Sequence, residues 1–137
     1  MIGFNVPPVT GNEIKYIAEA IQNRKISGDG AFTKRCSAFM EKRFDAPHVL
    51  LTTSGTSALD MACILCGLHA GDEVILPSYT FSSTANAVIL SGATPVFTDI
   101  RPDTMNIDET KIEAAITPAH ALLSQYTMRA LPVRWTR

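Results

Sequence analysis

Cysteine is scarce in this chain. It has three, Cys36, Cys63 and Cys66, an odd number too small for the disulfide framework of a small secreted domain. Long hydrophobic runs are missing as well. None approaches the roughly 20 residues of a membrane span, and Asn5, Pro7 and Pro8 interrupt the stretch that a signal peptide would need apolar throughout. No charge of one sign dominates. Twelve Lys and Arg against 13 Asp and Glu give a formal net charge of −1, which offers no electrostatic footprint for DNA, RNA or an acidic membrane. These absences predict a cytoplasmic protein with neither nucleic acid nor membrane as partner. Cys63-x-x-Cys66 lacks the second pair a zinc site needs, and it lies inside the apolar run Leu59-Asp-Met-Ala-Cys-Ile-Leu-Cys66 rather than opening a helix as a redox pair does. It reads as two small core residues one helical turn apart, and no metal site is expected.

A core can be built. The 137 residues are 46% hydrophobic, enough for one ordinary domain or a piece of something larger. Thr10-Gly-Asn-Glu13 has the spacing of a capping box, with Ile14, Ile17, Ala18 and Ile21 on one helical face behind it. Ile26-Ser-Gly-Asp-Gly-Ala31 breaks regular structure, and a second helix is expected from Thr33 with Cys36, Phe39 and Met40 inward. Residues 48–53 read as a short buried strand, Ser54-Gly-Thr56 as a turn, and residues 57–68 as a helix. Gly71-Asp-Glu-Val-Ile-Leu-Pro77 reads as a turn and a strand, residues 82–90 as a helix, and Gly92-Ala-Thr-Pro-Val-Phe-Thr-Asp99 as a third strand. Asn106-Ile-Asp-Glu109 offers a second capping box, opening a helix to about Ile116. Helices alternating with short apolar strands predict an α/β layer with crossover connections, its sheet covered on both faces.

Two loops after strands could carry chemistry. In Thr52-Thr-Ser-Gly-Thr-Ser57 the glycine permits a tight turn. The amides that follow, at the positive end of a helix and beside the hydroxyls of Ser54, Thr56 and Ser57, suit an anion. An ordinary N-cap turn uses the same residue types. The stretch matches neither G-x-x-x-x-G-K-[ST] nor G-x-G-x-x-G, which removes the P-loop and dinucleotide readings. Pro77-Ser-Tyr-Thr-Phe-Ser-Ser-Thr84 places Tyr79 and Phe81 where the carboxyl ends of strands line a ligand crevice. Their rings could face a planar ligand or simply pack a helix on the sheet. His48 and His69 read as surface or satisfied histidines, Asp72-Glu73 as a solvated turn and Asp99-Ile-Arg101 as a strand end.

Taken together, Gly55-Thr-Ser-Ala-Leu59, Gly71-Asp-Glu-Val, Pro77-Ser-Tyr-Thr-Phe-Ser-Ser-Thr84, Gly92-Ala-Thr-Pro and Asn106-Ile-Asp resemble the DegT/DnrJ/EryC1/StrS family of sugar aminotransferases. The resemblance covers residues 1–118. It implies the N-terminal part of the large domain of the aspartate-aminotransferase type (type I), a mostly parallel sheet between helices, normally in a homodimer. It also implies pyridoxal 5'-phosphate (PLP) as cofactor, with Gly55, Thr56 and Ser57 on its phosphate and Phe81 stacked on its ring. The implied reaction moves an amino group from glutamate to a keto group on a nucleotide-linked sugar. Met1-Ile-Gly-Phe-Asn-Val-Pro-Pro-Val and Arg101-Pro-Asp-Thr-Met-Asn-Ile-Asp-Glu-Thr110 resemble most the branch acting on TDP-4-oxo-6-deoxy-D-glucose in enterobacterial common antigen synthesis. Gly28 and Gly30 lie where family members shape the mouth of the site.

The family's Schiff-base lysine, the aspartate on the pyridine nitrogen and the C-terminal domain would fall beyond residue 118. Lys15, Lys25, Lys34, Lys42 and Lys111 match no such motif, so no catalytic residue is expected here, and transamination lacks its amine. Residues 119–137 carry three arginines, no acid and the only tryptophan, and their apolar residues follow no helical or strand period. One allowed back-translation from Ala119, read from its third base, gives Thr-Arg-Ala-Ile-Val-Pro-Val-His-Tyr-Ala-Gly, the family's continuation. The expectation is a one-base deletion near Pro118, with residues 1–118 family-like and 119–137 out of frame. Such a chain would have an unpaired sheet edge, poor solubility and no turnover. Two alternatives stay open: a non-catalytic anion-binding fragment that pairs with a full-length subunit, and a fragment of another PLP enzyme of the same fold.

Overall fold

The computed structural model describes residues 6–123, the last four of them by backbone alone. It divides into two units, Met1–Leu51 and Thr52–Arg137.

The first unit holds two helices, α1 (Glu13–Gln22) and α2 (Ala31–Phe44). The first capping box closes on one side only. The Thr10 and Gly11 amides donate to the Glu13 carboxylate at 2.6 and 2.8 Å, but the Thr10 hydroxyl donates to the same carboxylate instead of capping the helix. Asn12 is therefore the N-cap, without a side-chain cap bond. The Thr10 amide, chief among these donors, holds the Glu13 carboxyl down at about 2. Helix α2 ends where Asp45 turns left-handed at φ 51°. Tyr16 meets Phe32 edge-on at 5.4 Å, and the Arg35 guanidinium lies 5.0 Å over the same ring. Neither helix buries a residue. Cys36 and Phe39, expected inward, are exposed; two helices alone form too thin a layer to enclose a side chain.

The second unit carries the core. Helix α3 (Gly55–Leu65) leads to β1 (Glu73–Pro77), α4 (Ser82–Leu90) and β2 (Thr94–Thr98); a 3-10 turn (Glu109–Lys111), α5 (Ile112–Ala115) and β3 (His120–Leu123) follow. The sheet is parallel with order β2-β1-β3, placing β1 in the middle. Alternation along β1 decides its packing. Val74 and Leu76 face Cys63, Ala87, Val88 and Ala93 from the α3–α4 side, while Ile75 faces Ile107 and Ile112 on the other. All three β1 side chains are at most 1% exposed, each contributing about 1.5–3 kcal/mol of burial. Gly92 makes the corner between α4 and β2 possible. Its φ is +88°, and a Cβ there would stand 3.3 Å from the Ala70 amide nitrogen.

Several sequence expectations are corrected. Residues 48–53 form no strand, and Leu50 and Leu51 are exposed; β-propensity depends on packing context, and apolar composition alone does not make a strand. The helical segment begins later than the second capping box places it. Asn106 belongs to the turn before it, where its backbone carbonyl accepts from the Arg101 amide beside the antiparallel bridge of Ile100 with Ile107, and Asp108 is the N-cap, accepting from the Thr110 amide at 3.1 Å. The helix there is correspondingly short. Cys63 is core but Cys66, the C-cap of α3, is exposed. Residues 120–123 are a strand despite their lack of period, because parallel pairing uses backbone groups that every sequence possesses; the Glu73 amide donates to the Ala119 carbonyl at 2.9 Å just before it. The rest of the expected out-of-frame tail, 124–137, lies outside the described residues, as do residues 1–5.

Candidate cofactor site at the carboxyl end of the sheet

Helix α4 returns the chain between two parallel strands, so it runs opposite to them. Helix α3 runs the same way as α4, since the chain just past its end, at Ala70, approaches Gly92 just past the end of α4. Both helices therefore begin at the carboxyl end of β1, the end where open α/β sheets bind ligands.

At the start of α3, Ser54 adopts extended backbone and its Oγ accepts from the Ser57 amide at 3.1 Å. The Ala58 amide donates to the Ser54 carbonyl at 3.1 Å, the first bond of the helix. The Gly55 and Thr56 amides precede that bond and point out of the helix end. The three expected phosphate residues are thus not equivalent. Ser57 has its amide committed to the cap and its hydroxyl 3.0 Å from that of Ser54; it can offer only the hydroxyl. The Thr52 hydroxyl donates to the Ser54 carbonyl at 2.8 Å and stiffens the turn. No acid lies in the first turn of α3, so the positive end of its dipole is not neutralised locally. A Cβ on Gly55 would meet nothing within 4 Å, which leaves open space beside the free amides. These features fit an anionic group such as a phosphate.

After β1, the Ser78 amide donates to the Thr98 carbonyl at 2.8 Å and Phe81 becomes the N-cap of α4. Tyr79 and Phe81 are 48% and 59% exposed, so their rings do not pack the helix onto the sheet. A planar ligand could use them.

Gly28 and Gly30 lie in the other unit, before α2. His48 is exposed, while His69 stands 3.2 Å from Asp72 through Nδ1. Two features had no signal in the sequence. Asp99, taken as a strand end, pairs with Lys111 at 3.0 Å, and Arg101 bridges Asp103 and Glu109. The hydrogen bond and charge of Lys111 hold the Asp99 carboxyl below its ordinary value. Burial pushes the Cys63 thiol up, with Cys66 and Asp60 adding to it, the reverse of what a reactive thiolate needs. Among the described residues no three His, Cys, Asp or Glu side chains are grouped to hold a metal ion, and no helix is long and apolar enough to cross a membrane.

This partial α/β fold, with its parallel sheet, is that of the PLP-dependent aminotransferases. NtdA from Bacillus subtilis, solved with bound cofactor PMP, superposes over 86% of this chain and 29% of its own, at a TM-score of 0.75 and 34% identity. The DegT/DnrJ/EryC1/StrS aminotransferase family model matches residues 8–124, and the chain belongs to that family. GDP-perosamine synthase of Caulobacter vibrioides is 38% identical over 117 residues, which is 85% of this chain and 32% of that protein. The 3-oxo-glucose-6-phosphate:glutamate aminotransferase of Bacillus subtilis is 45% identical over 102 residues, 74% of this chain and 21% of that protein. The chain thus spans about a fifth to a third of the length of these relatives.

Proposed function

We propose that the second unit supplies the cofactor-holding part of a PLP-dependent sugar aminotransferase. The open start of α3 carries this reading. The amides of Gly55 and Thr56, with the hydroxyls of Thr56 and Ser57, would take the cofactor phosphate, and the exposed ring of Phe81 would lie against the pyridine. When bound, PLP supplies the electron sink through which an amino group passes between donor and acceptor. The chain's own part is to bind and orient. Lys111 is not read as an attachment site: its amine is bonded to Asp99 at 3.0 Å and stands 3.7 Å from Asp108, and that bond and those charges raise its pKa. Non-covalent seating without turnover is the expected behaviour of this chain.

The finer reading is an acceptor of the TDP-4-oxo-6-deoxy-D-glucose type and glutamate as donor, in a cytoplasmic homodimer that serves enterobacterial common antigen or lipopolysaccharide synthesis. Its support is the wording of residues 1–9 and 101–110, together with a relative whose name includes glutamate. Residues 119–137 we read as out of frame. The restored frame would put isoleucine in place of Leu123, a residue type that suits a strand better. Resequencing the gene through codon 118 tests this: an intact frame across codons 119–137 with incompatible codons removes it.

The test of the seat is Thr56→Glu. An acid in the first turn favours the helix but places a carboxylate where the phosphate would sit. PLP titration of the full chain is expected to show saturable binding that this variant weakens by about tenfold or more, with the helix content kept. Unchanged affinity would overturn the reading. Borohydride trapping followed by mass spectrometry should find no pyridoxyl group on Lys111.

A further inference from the structure

A ring presented to solvent helps bind a planar ligand only if its loop is held in place. Residues 78–81 are tied at three points. Two ties are backbone bonds, from the Ser78 amide to the Thr98 carbonyl at 2.8 Å and from the Thr84 amide to the Phe81 carbonyl at 3.0 Å. The third depends on side chains: the hydroxyls of Thr80 and Thr84 share a hydrogen bond of 2.9 Å. Thr80 sits between the two exposed rings of Tyr79 and Phe81, whereas Thr84, in the first turn of α4, is 2% exposed. At a site so enclosed, packing alone would be met by valine, which has the same shape and no polar atom to satisfy. The Thr84 hydroxyl has its partner in the aromatic loop and nowhere in the apolar cluster beneath it.

We propose that Thr84 is the positioning residue of the site: its hydroxyl fixes the peptide between Tyr79 and Phe81, so that Phe81 is preorganised for a planar aromatic ligand. This rests on the seat proposed above, in which that ligand is the PLP ring. Preorganisation acts on affinity by removing the cost of ordering the loop at the moment of binding. The phosphate contacts at α3 do not pass through this loop, so the two halves of the ligand should respond separately.

The full 137-residue chain is titrated with PLP and, separately, with inorganic phosphate, and the circular dichroism induced in the bound cofactor is recorded. Thr84→Val is expected to weaken PLP about fivefold, the worth of one net hydrogen bond, and to reduce the induced signal per bound cofactor. It should leave phosphate affinity unchanged. Thr84→Ser should restore both readouts, and Thr80→Val, which removes the same bond from the more exposed partner, should reproduce the loss if Thr84→Val folds poorly. The inference is overturned if Phe81→Leu weakens PLP but Thr84→Val and Thr80→Val do not, or if Thr84→Val weakens PLP and phosphate alike. If Phe81→Leu leaves PLP affinity intact, or the unsubstituted chain binds no PLP, the seat itself fails and this inference with it.

Discussion

The two units of the chain are built from equally apolar patterns and reach opposite ends of burial. In the first, Ile14, Ile17 and Ile21 share one face of α1 and are 78%, 56% and 59% exposed. In the second, Val74, Ile75 and Leu76 stand in one five-residue strand and are 1% exposed or less. Hydrophobic periodicity fixed the helix in one case and the strand in the other, but burial came only where a sheet offered two faces and helices covered both. The candidate site follows the same division. Its anion turn and aromatic loop both hang from the ends of elements anchored in the second unit.

The contrast can be broken most forcefully at the sheet. Ile75→Ala should cost about 2–5 kcal/mol by urea unfolding, whereas Phe39→Ala, 67% exposed on α2, should stay within about 0.5 kcal/mol. Equal effects would show that the first unit is as well enclosed as the second. A smaller loss is expected at the start of α3. Ser54→Ala removes the oxygen that accepts from the Ser57 amide and should cost about 1 kcal/mol; it should also release that amide, so phosphate affinity ought to hold or rise. The smallest effect belongs to the first unit and depends on pH. The folded Glu13 carboxyl lies at about 2 against an ordinary 4.5, so its contribution is present above about 4.5 and is lost as pH falls through about 2. Far-UV circular dichroism of Glu13→Gln should therefore differ from the unsubstituted chain at neutral pH and converge with it in strong acid.

Much of the second unit was legible in the sequence because its signals are local. The apolar run 74–76 between Gly71 and Pro77 could only be a buried strand, and the serine and threonine cluster before an apolar helix announced the cap of α3. The family resemblance, carried by ordered motifs from Gly55 to Asn106, held. What escaped depends on groups distant in sequence. Strand β3 pairs through backbone atoms with residues far back in the chain, so its side chains gave no warning. Residues 48–53 look like a strand by composition, but composition alone does not supply the pairing and packing that make one. Cys63 and Cys66 have equal local claims to the core, and only the position of α4 decides that one is covered and the other is not. Within the site, the sequence marked the glycine turn and the rings, but it could not show that Ser54 would take the Ser57 amide and leave Gly55 and Thr56 to do the binding. The Thr80–Thr84 bond was equally silent, since two threonines four apart mean nothing until one lies in a loop and the other under it.

The corner at residue 92 sets a limit on how this architecture can drift. Any side chain there pays twice, once for the left-handed backbone and once for its approach to the amide of Ala70. The turn from helix to strand at this point thus accepts no added carbon unless the backbone of Ala70 gives way by a few tenths of an ångström.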